Sequence, residues 1–294
     1  MRFSVYPGCS MEATALSYLK SMNAVMKVLD VQLEEIPDWN CCGASVASGV
    51  VGEFPQQVMT ARNLALAEKN GLDILVGCSS CYMNMGLTNK RFQEDAHFAE
   101  KANKALAAGG LHYNGTLKVR QIVDALVNDV GLDTIQGKVK RPLKGLKVAG
   151  YVGCQTVRAL PWEYDNPERP VLLDQLVEAL GATAVPFPLK ASCCGSSNSI
   201  AQTEIVLEYS KAILDSALEN QAQLMVTPCP MCQMNLDCFQ TMINKEYKTT
   251  YKMPILFITQ LMAIAFDLPA ADQALKYCIN SPQEALGAVA GGKA

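Results

Sequence analysis

Short apolar runs alternate with longer amphipathic stretches along the whole of this chain. The apolar runs predict eight strands, at 2–6, 31–36, 74–77, 117–119, 147–151, 183–186, 225–227 and 255–257. Between the first two strands, apolar residues recur at three- and four-residue steps, which predicts a helix that buries Leu16, Leu19, Met22, Met26 and Leu29. Further helices are predicted at 171–180, at 200–219 and after Cys232. Such alternation is typical of βαβ units in an α/β fold.

Ten of the 12 cysteines fall into two copies of one pattern. In the first copy, 31 residues separate the lone Cys9 from an adjacent pair, and a C-x-x-C follows. In the second copy, 38 residues separate the lone Cys154 from the pair. A glycine follows each pair, and a Met-Asn dipeptide lies just beyond each C-x-x-C, at 83–84 and 234–235. The spacing therefore predicts an internal duplication.

The duplication predicts two tandem βαβ-type domains related by pseudo-twofold symmetry, at 1–140 and 141–294. The linker is predicted at 131–145, a turn-rich basic stretch with Pro142, and 287–294 is expected to be a flexible tail. Every patterned cysteine group follows the carboxyl end of a predicted strand, where open α/β sheets bind their ligands. The five thiols of each domain are thus expected to converge at one sheet edge.

Composition narrows the possible functions. The net charge is −3 and 18% of the residues are charged, which argues against a nucleic-acid partner. The N-terminus lacks the apolar core and cleavage site of a signal peptide, and the apolar stretch at 255–266 is too short to cross a bilayer. A cytoplasmic location without direct membrane insertion is expected. Because the cytosol keeps thiols reduced, so many cysteines indicate metal binding or redox chemistry.

Five thiols in this arrangement favour an iron–sulfur cluster over zinc. Zinc takes four ligands in a tetrahedron, and two adjacent cysteines rarely bind one ion at good angles. They can hold different irons of a cluster, however, and Gly43 and Gly195 would let the backbone approach it or adopt a positive φ. A fifth thiolate exceeds what an ordinary cubane needs, which suggests an open cluster. Structural zinc in one or both repeats stays as the alternative.

The sequence resembles the Cys-Cys-Gly (CCG) cysteine-rich domain family in several places. The resemblance lies in the Tyr-Pro-Gly-Cys opening at 6–9, in the Asp-Trp-Asn-Cys-Cys-Gly-Ala segment at 38–44, in the C-x-x-C and in the duplication, over roughly residues 1–266. Within the family, the chain is similar in length and layout to the B subunits of heterodisulfide reductase from methane-producing archaea. This resemblance implies a catalytic subunit that reduces the mixed disulfide of coenzyme M and coenzyme B in methanogenesis.

The resemblance also implies the cofactors and their ligands. Each repeat would hold one noncubane [4Fe-4S] cluster, with the substrate disulfide between the two clusters. The implied ligands of the first cluster are Cys9, Cys41, Cys42, Cys78 and Cys81, and those of the second are Cys154, Cys193, Cys194, Cys229 and Cys232. Cys42 and Cys194 are the candidate catalytic positions, and we expect serine at either one to abolish turnover.

Electrons must come from partner proteins, because the chain has no dinucleotide fingerprint, no P-loop and no ferredoxin-type cysteine run. The resemblance implies a ferredoxin-like iron–sulfur C subunit joined to a flavin-containing A subunit, with a hydrogenase or formate dehydrogenase further along.

Several other residues are weaker candidates. His112, and less so His97, could protonate a product thiolate. Lys118, Arg120 and Arg158 could bind the anionic groups of the implied substrate. The loop at 158–170, with Trp162 and Tyr164, could cover the cavity or bind a partner. Cys238 and Cys278 lie outside the duplication and are expected to be ordinary thiols.

Two other functions remain open. One is a non-catalytic electron-transfer or anchoring subunit, as in glycolate, lactate or glycerol-phosphate oxidising complexes and some quinone-linked reductases. The other is a zinc-stabilised scaffold. Ten intact ligand positions favour the catalytic subunit.

Overall fold

The computed structural model describes residues 1–44, 47–161 and 163–289. It contains two four-stranded sheets, in which every strand pair is parallel. The first sheet has the order β2-β1-β3-β4 and the second the order β6-β5-β7-β8, so the two halves share one topology. The strands are β1 Arg2–Tyr6, β2 Gln32–Glu35, β3 Ile74–Val76, β4 Val119–Gln121, β5 Lys147–Gly150, β6 Thr183–Ala184, β7 Leu224–Thr227 and β8 Ile255–Phe257.

Helices connect the strands of the first half. They are α1 Gly8–Met11, α2 Leu16–Val28, α3 Ala47–Val51, α4 Glu53–Glu68, α5 Ser79–Glu94, α6 Ala96–Leu106, α7 Ile122–Asp124 and α8 Leu132–Gly137. A short 3-10 turn, Ala107–Gly109, follows α6, and a π-helical segment, Ala125–Gly131, joins α7 to α8.

The second half repeats this order and then extends it. Its helices are α9 Cys154–Arg158, α10 Leu172–Ala179, α11 Thr203–Glu219, α12 Pro230–Cys238, α13 Gln240–Tyr247, α14 Ile258–Ala265, α15 Ala270–Gln273 and α16 Gln283–Val289. Short 3-10 turns lie at Pro188–Ala191, Ser196–Asn198 and Leu275–Tyr277.

The predicted α/β fold with a tandem duplication is confirmed. All eight predicted strands are observed, and the largest displacement is at β4, which begins two residues later than predicted. Its first pairing partner is Ile74, which aligns with Val119, and Lys118 just before it donates its N–H to the side chain of Asp73.

The predicted linker is not a free loop. Helix α8 lies inside it, and Lys140 and Arg141 both donate backbone hydrogen bonds to the carbonyl of Ala265. Leu143 likewise donates to Leu180, so this segment is bound to the second half of the chain. The boundary at residue 140 stays a prediction. The predicted tail lies partly outside the described residues, at 290–294.

The two halves exchange helices in a symmetric manner. Helix α2 of the first half packs on α14 of the second, and α10, its counterpart, packs on α7, the π-helical segment and α8 of the first. At the α2–α14 contact the ring of Tyr18 stacks on Phe257, with centroids 4.3 Å apart, and the hydroxyls of Ser21 and Thr259 lie 2.6 Å apart. Both halves thus complete each other's hydrophobic cores.

A second pair of contacts has the same symmetry: α5 packs on α9, and α12 packs on α1. Ser79 and Thr156 bond across the α5–α9 contact at 2.6 Å. Gly86 of α5 leaves room for Leu160, whose Cδ1 would lie 2.3 Å from a Cβ at that position. Within the described ranges, no helix has the length and apolarity that crossing a bilayer requires.

Candidate functional site: two facing sets of cysteines

The topology brings all ten patterned cysteines to the carboxyl edges of the two sheets. Cys9 lies in α1 directly after β1, and Cys78 is the N-cap of α5 directly after β3. Cys154 begins α9 after β5, and Cys229 is the N-cap of α12 after β7. The Cys-Cys pairs follow β2 and β6, each of which is an edge strand of its sheet. This is the edge at which open parallel sheets bind ligands.

The two sets of cysteines approach each other at their buried ends. The Sγ atoms of Cys42 and Cys81 lie 3.2 Å apart in the first set, and those of Cys194 and Cys232 lie 3.6 Å apart in the second. Cys78 and Cys229, one from each set, lie close enough for each to shift the pKa of the other, upward at Cys78 and downward at Cys229. The two C-x-x-C turns therefore lie between the two sites.

Exposure to solvent decreases across each set. The exposed or half-buried thiols are Cys9, Cys41, Cys154 and Cys193, and the buried ones are Cys42, Cys78, Cys81, Cys194, Cys229 and Cys232. A molecule that approaches from solvent therefore meets the lone cysteine and the first member of the Cys-Cys pair. The C-x-x-C thiols are reached last.

A buried tyrosine at the end of each central strand holds the Cys-Cys loop. The hydroxyl of Tyr6 donates to the carbonyl of Asn40 at 2.8 Å, and that of Tyr151 donates to the carbonyl of Ser192 at 2.6 Å. Each carbonyl belongs to the residue just before the pair. Burial, and then the nearby thiols, raise the pKa of both tyrosines, so their hydroxyls keep the proton that they donate.

An asparagine from the helix after each C-x-x-C binds the other side of the loop. The side-chain amide of Asn84 donates to the carbonyl of Cys42 at 3.0 Å, and that of Asn235 donates to the carbonyl of Cys194 at 3.0 Å. In the first site, the side chains of Gln56 and Thr60 also donate to Cys42, at 3.0 and 3.1 Å. The two Cys-Cys loops therefore share the asparagine contact, but the first loop has two additional hydrogen bonds.

This difference predicts that two matched substitutions lower the free energy of unfolding by different amounts. Asn235→Ala is expected to lower the free energy of unfolding by about 2 kcal/mol, because Asn235 is the donor observed on the Cys194 carbonyl within the described residues. Asn84→Ala is expected to cost less than about 1 kcal/mol, since two other donors remain on Cys42. Urea unfolding of both variants, prepared anaerobically, measures the difference. Equal losses would contradict the unequal anchoring.

The sequence predicts either a close backbone approach or a positive φ for the glycine after each pair, and φ is +72° at Gly43 and +77° at Gly195. In this conformation their N–H groups point back to the Sγ atoms of Cys41 and Cys193, at 3.4 and 3.3 Å. A second pair of glycines precedes the lone cysteines. At Gly153, a Cβ would lie 3.2 Å from the Sγ of Cys232, so the backbone approaches the thiols more closely than a side chain would allow.

Crowding of the thiols separates their pKa values. A hydrogen bond from Cys41, and another with Cys81, lower the pKa of Cys42 to about 4. A hydrogen bond from Cys154 lowers the pKa of Cys193 to about 6. The pKa of each donor is raised, because it gives its proton to a neighbouring thiolate. Each set thus has a thiol, Cys42 or Cys193, that is shifted toward the thiolate, the form that binds metal, beside a thiol that keeps its proton.

The donor chemistry of each set fits an iron–sulfur cluster. Five cysteine sulfurs gather at one sheet edge, and backbone N–H groups lie close enough to bond sulfur. Within the described ranges, no group of three cysteine, histidine or carboxylate side chains lies together in a way that would hold a metal ion.

The weaker candidates lie elsewhere. His112 is exposed in the loop that leads into β4, whose neighbours Asn114 and Thr116 bond to Glu68 at the amino edge of the sheet. Lys118 lies at the same edge, next to Asp73. His97 is exposed in α6. The structure therefore does not bring these three side chains to the cysteines, and a proton-donor role for His112 stays a prediction from the sequence.

Arg120 is held by its own neighbours. Its guanidinium pairs with the carboxylates of Asp124 and Asp129, at 2.5 and 3.0 Å, and is 18% exposed. Arg158 is exposed at the end of α9, four residues after Cys154. Of the three basic candidates, Arg158 is thus the one that lies beside a cysteine set. Trp162 of the following loop lies outside the described residues, whereas Tyr164 is buried against Tyr82.

Cys238 and Cys278 lie apart from both sets. Cys238 is exposed, and Cys278 is half-buried with a pKa that burial raises to about 12. Sequence reasoning missed Tyr18, Gln56 and Thr60. For Tyr6 and Tyr151, a signal was present in the sequence, since both occupy the same place before the lone cysteine of their repeat.

The chain belongs to the CCG cysteine-rich domain family, whose model matches residues 3–86 and again 148–237. Each match covers the first three strands of one sheet and one set of five cysteines, and together they confirm the resemblance inferred from the sequence. The chain is 35% identical to the 8-methylmenaquinol:fumarate reductase membrane anchor subunit of Wolinella succinogenes, over 94% of this chain and 95% of that protein.

Other relatives carry a different name. A protein of Archaeoglobus profundus, named as like the B subunit of heterodisulfide reductase, is 29% identical over 90% of both chains. The B subunit of a ferredoxin/F420H2-dependent CoB-CoM heterodisulfide reductase of Methanosarcina acetivorans is 29% identical over 90% of this chain and 89% of its own.

Among solved structures, a hypothetical protein from Helicobacter pylori has the same fold. It superposes with a TM-score of 0.76 at 13% identity, over 95% of this chain. This chain spans about half of that protein's length, 52%.

Proposed function

We propose that this chain is the iron–sulfur subunit of a multi-subunit oxidoreductase, and that its two cysteine sets each hold one noncubane [4Fe-4S] cluster. The observation that carries the proposal is the pair of equivalent five-thiol sets, one at the carboxyl edge of each sheet. The family match over both sets and the names of the relatives support it.

The clusters, when bound, would supply one electron each, which suits a substrate that takes two. The chain's own residues fix where this happens. Tyr6 and Tyr151 orient the two Cys-Cys loops, and Asn84 and Asn235 fix the carbonyls of Cys42 and Cys194. Cys42 and Cys194 are the proposed catalytic positions, and substrate would enter from the side of the more exposed thiols, Cys9, Cys41, Cys154 and Cys193.

Reduction of a heterodisulfide is the first candidate reaction. In this proposal, the CoM-S-S-CoB disulfide is reduced to two thiols, with electrons from a ferredoxin-like C subunit and a flavin-containing A subunit. The relatives named B subunits, which match over 90% of this chain, support it. A hydrogenase or formate dehydrogenase would be the more distant donor.

Quinol-linked electron transfer is the second candidate, and two observations favour it. A relative at 35% identity is named as the anchor subunit of a quinol:fumarate reductase. In addition, Lys118 lies at the far sheet edge and Arg120 is paired with two aspartates, so few of the expected cations remain for an anionic disulfide. In that case the chain would pass electrons at the membrane surface without inserting, and its cytoplasmic location stays a prediction.

Metal analysis tests the common part of both candidates. The chain, purified anaerobically with its complex, is expected to contain about eight iron and eight sulfide per chain, the content of two [4Fe-4S] clusters. Substantial zinc with little sulfide would contradict the proposal and support a scaffold.

Electron paramagnetic resonance then separates the two reactions. If the heterodisulfide is the substrate, adding it to the oxidised protein should produce a new signal, and reduced methyl viologen should support its turnover. If the chain is quinol-linked, a menaquinol analogue should reduce the clusters in the assembled complex while the disulfide leaves the spectrum unchanged.

A further inference from the structure

Tyr18 is buried where the two halves of the chain meet. It lies on α2 of the first half, has 0% exposure, and stacks almost parallel to Phe257 of the second half, at 8° between ring planes. Ser21, one turn further along α2, bonds to Thr259 across the same contact. The ring is thus fixed by side chains from both halves.

The Tyr18 hydroxyl reaches the backbone of both C-x-x-C turns. Its oxygen lies 3.0 Å from the carbonyl oxygen of Pro228 and 3.4 Å from that of Gly77, both buried. These two carbonyls belong to the residues just before Cys229 and Cys78. Because a hydroxyl has one proton, the shorter contact is the main hydrogen bond and the longer one is its weaker branch.

Gly77 makes this approach possible. A Cβ at that position would lie 3.1 Å from the Tyr18 ring, at Cε1 and Cζ, and 2.1 Å from the Cε of Met11. Burial raises the pKa of Tyr18, with smaller contributions from Cys229 and Cys78, so its hydroxyl remains a donor.

We propose that Tyr18 is a positioning residue that couples the two cysteine sites, because one hydroxyl holds the backbone before Cys78 and before Cys229 together. Each of these turns carries a cysteine of one site, Cys78 or Cys229, so a shift of either turn is transmitted through the Tyr18 hydroxyl to the other site. The two sites then act as one unit. The coupling of backbone turns stands on the geometry, whereas its redox consequence rests on the proposed clusters.

The test compares three tyrosines that each lose only a hydroxyl. Tyr18→Phe removes the contact shared by both sites, and Tyr6→Phe removes a contact within the first site. Tyr113→Phe is the matched control, since its buried hydroxyl bonds to Asn89 and lies away from the cysteines. All three variants are made in the full chain within its complex.

Hydrogen–deuterium exchange gives a readout that does not depend on the clusters. In Tyr18→Phe, exchange is expected to become about tenfold faster in both turns, at 74–82 and at 224–233. Tyr6→Phe should affect the first site only, and Tyr113→Phe neither. Faster exchange in one turn alone, or no more change than in Tyr113→Phe, would overturn the coupling.

Redox titration followed by electron paramagnetic resonance gives the second readout. Tyr18→Phe is expected to lower the midpoint potentials of both clusters, because a positive hydrogen-bond dipole beside their ligands is lost. If exchange becomes faster in both turns but the midpoint potentials do not shift, Tyr18 has only a structural role. Its proposed effect on the clusters is then wrong. Absence of iron in the wild-type chain would instead count against the proposed function.

If Tyr18→Phe does not fold, Phe257→Leu is used in the same exchange experiment. This variant keeps the Tyr18 hydroxyl and removes only the ring on which Tyr18 stacks. Joint loosening of both turns would support the coupling, and loosening of the 224–233 turn alone would overturn it.

Discussion

Cys42→Ser and Cys194→Ser are each expected to abolish turnover, with a loss of more than about 100-fold, since changes around metal ligands alone commonly cost 10- to 100-fold. Both thiols are buried, and each lies within 3.6 Å of a C-x-x-C thiol of its own set. Serine has no thiol, and its hydroxyl stays protonated at neutral pH, so one site loses a ligand while the other is intact. The measurement is substrate reduction by the anaerobic complex with reduced viologen as donor.

Iron content distinguishes loss of a cluster from general unfolding. Each single variant is expected to retain about half of the iron, and the double variant almost none. Cys238→Ser is the control, because Cys238 is exposed and lies outside both sets, and it should keep full iron and activity. A variant with half of the iron and undiminished turnover would show that the two sites do not act together.

Gly77→Ala is expected to be the most damaging of the small substitutions. The added methyl group would lie 2.1 Å from the Cε of Met11, a fully buried side chain, and 3.1 Å from the ring of Tyr18. Met11 has to adopt another rotamer in a filled core, which costs about 1–3 kcal/mol. The ring of Tyr18 must also move away from the turn before Cys78.

Urea unfolding measures this loss, and Gly109→Ala is its matched control. At Gly109, a Cβ meets nothing within 4 Å, so the same change should alter the free energy of unfolding by less than about 0.5 kcal/mol. Iron loss is expected in Gly77→Ala but not in the control. Equal stability of the two variants would mean that the core around Met11 adapts to the extra methyl group without cost.

The repeat and the strands could be predicted because they depend on local pattern. A parallel strand buried on both faces appears as a short apolar run, and this holds for β1, β3, β5, β7 and β8. The three other strands lie at sheet edges and are partly exposed, so their apolar signal is weaker. The position of the cysteines followed from one rule, that ligands gather at the carboxyl ends of parallel strands. A positive φ at Gly43 and Gly195 was one of two alternatives that their place after the Cys-Cys pair predicted, and both glycines have it.

What could not be predicted depends on contacts between distant parts of the chain. Tyr18 meets Pro228 across 210 residues, and no spacing in the sequence indicates that α2 crosses to the second half. The proximity of Cys78 and Cys229 has the same origin.

The positions of Arg120 and His112 could have been predicted from the sequence. Asp124 follows Arg120 after four residues, close enough along the chain for an ion pair where β4 leads into α7. His112 precedes β4, so the topology already places it at the amino edge, opposite the cysteines.

The exchange of helices between the halves bears on how such a protein could have arisen. Buried faces of α2 and α10 are each covered by helices from the other repeat, so one repeat alone would leave an apolar surface open to water. An ancestor with a single repeat would hence have been stable as a homodimer with a true twofold axis. After fusion of the two copies, the sequence of each repeat could change independently. The different numbers of side-chain donors to the carbonyls of Cys42 and Cys194 are an example of such a change.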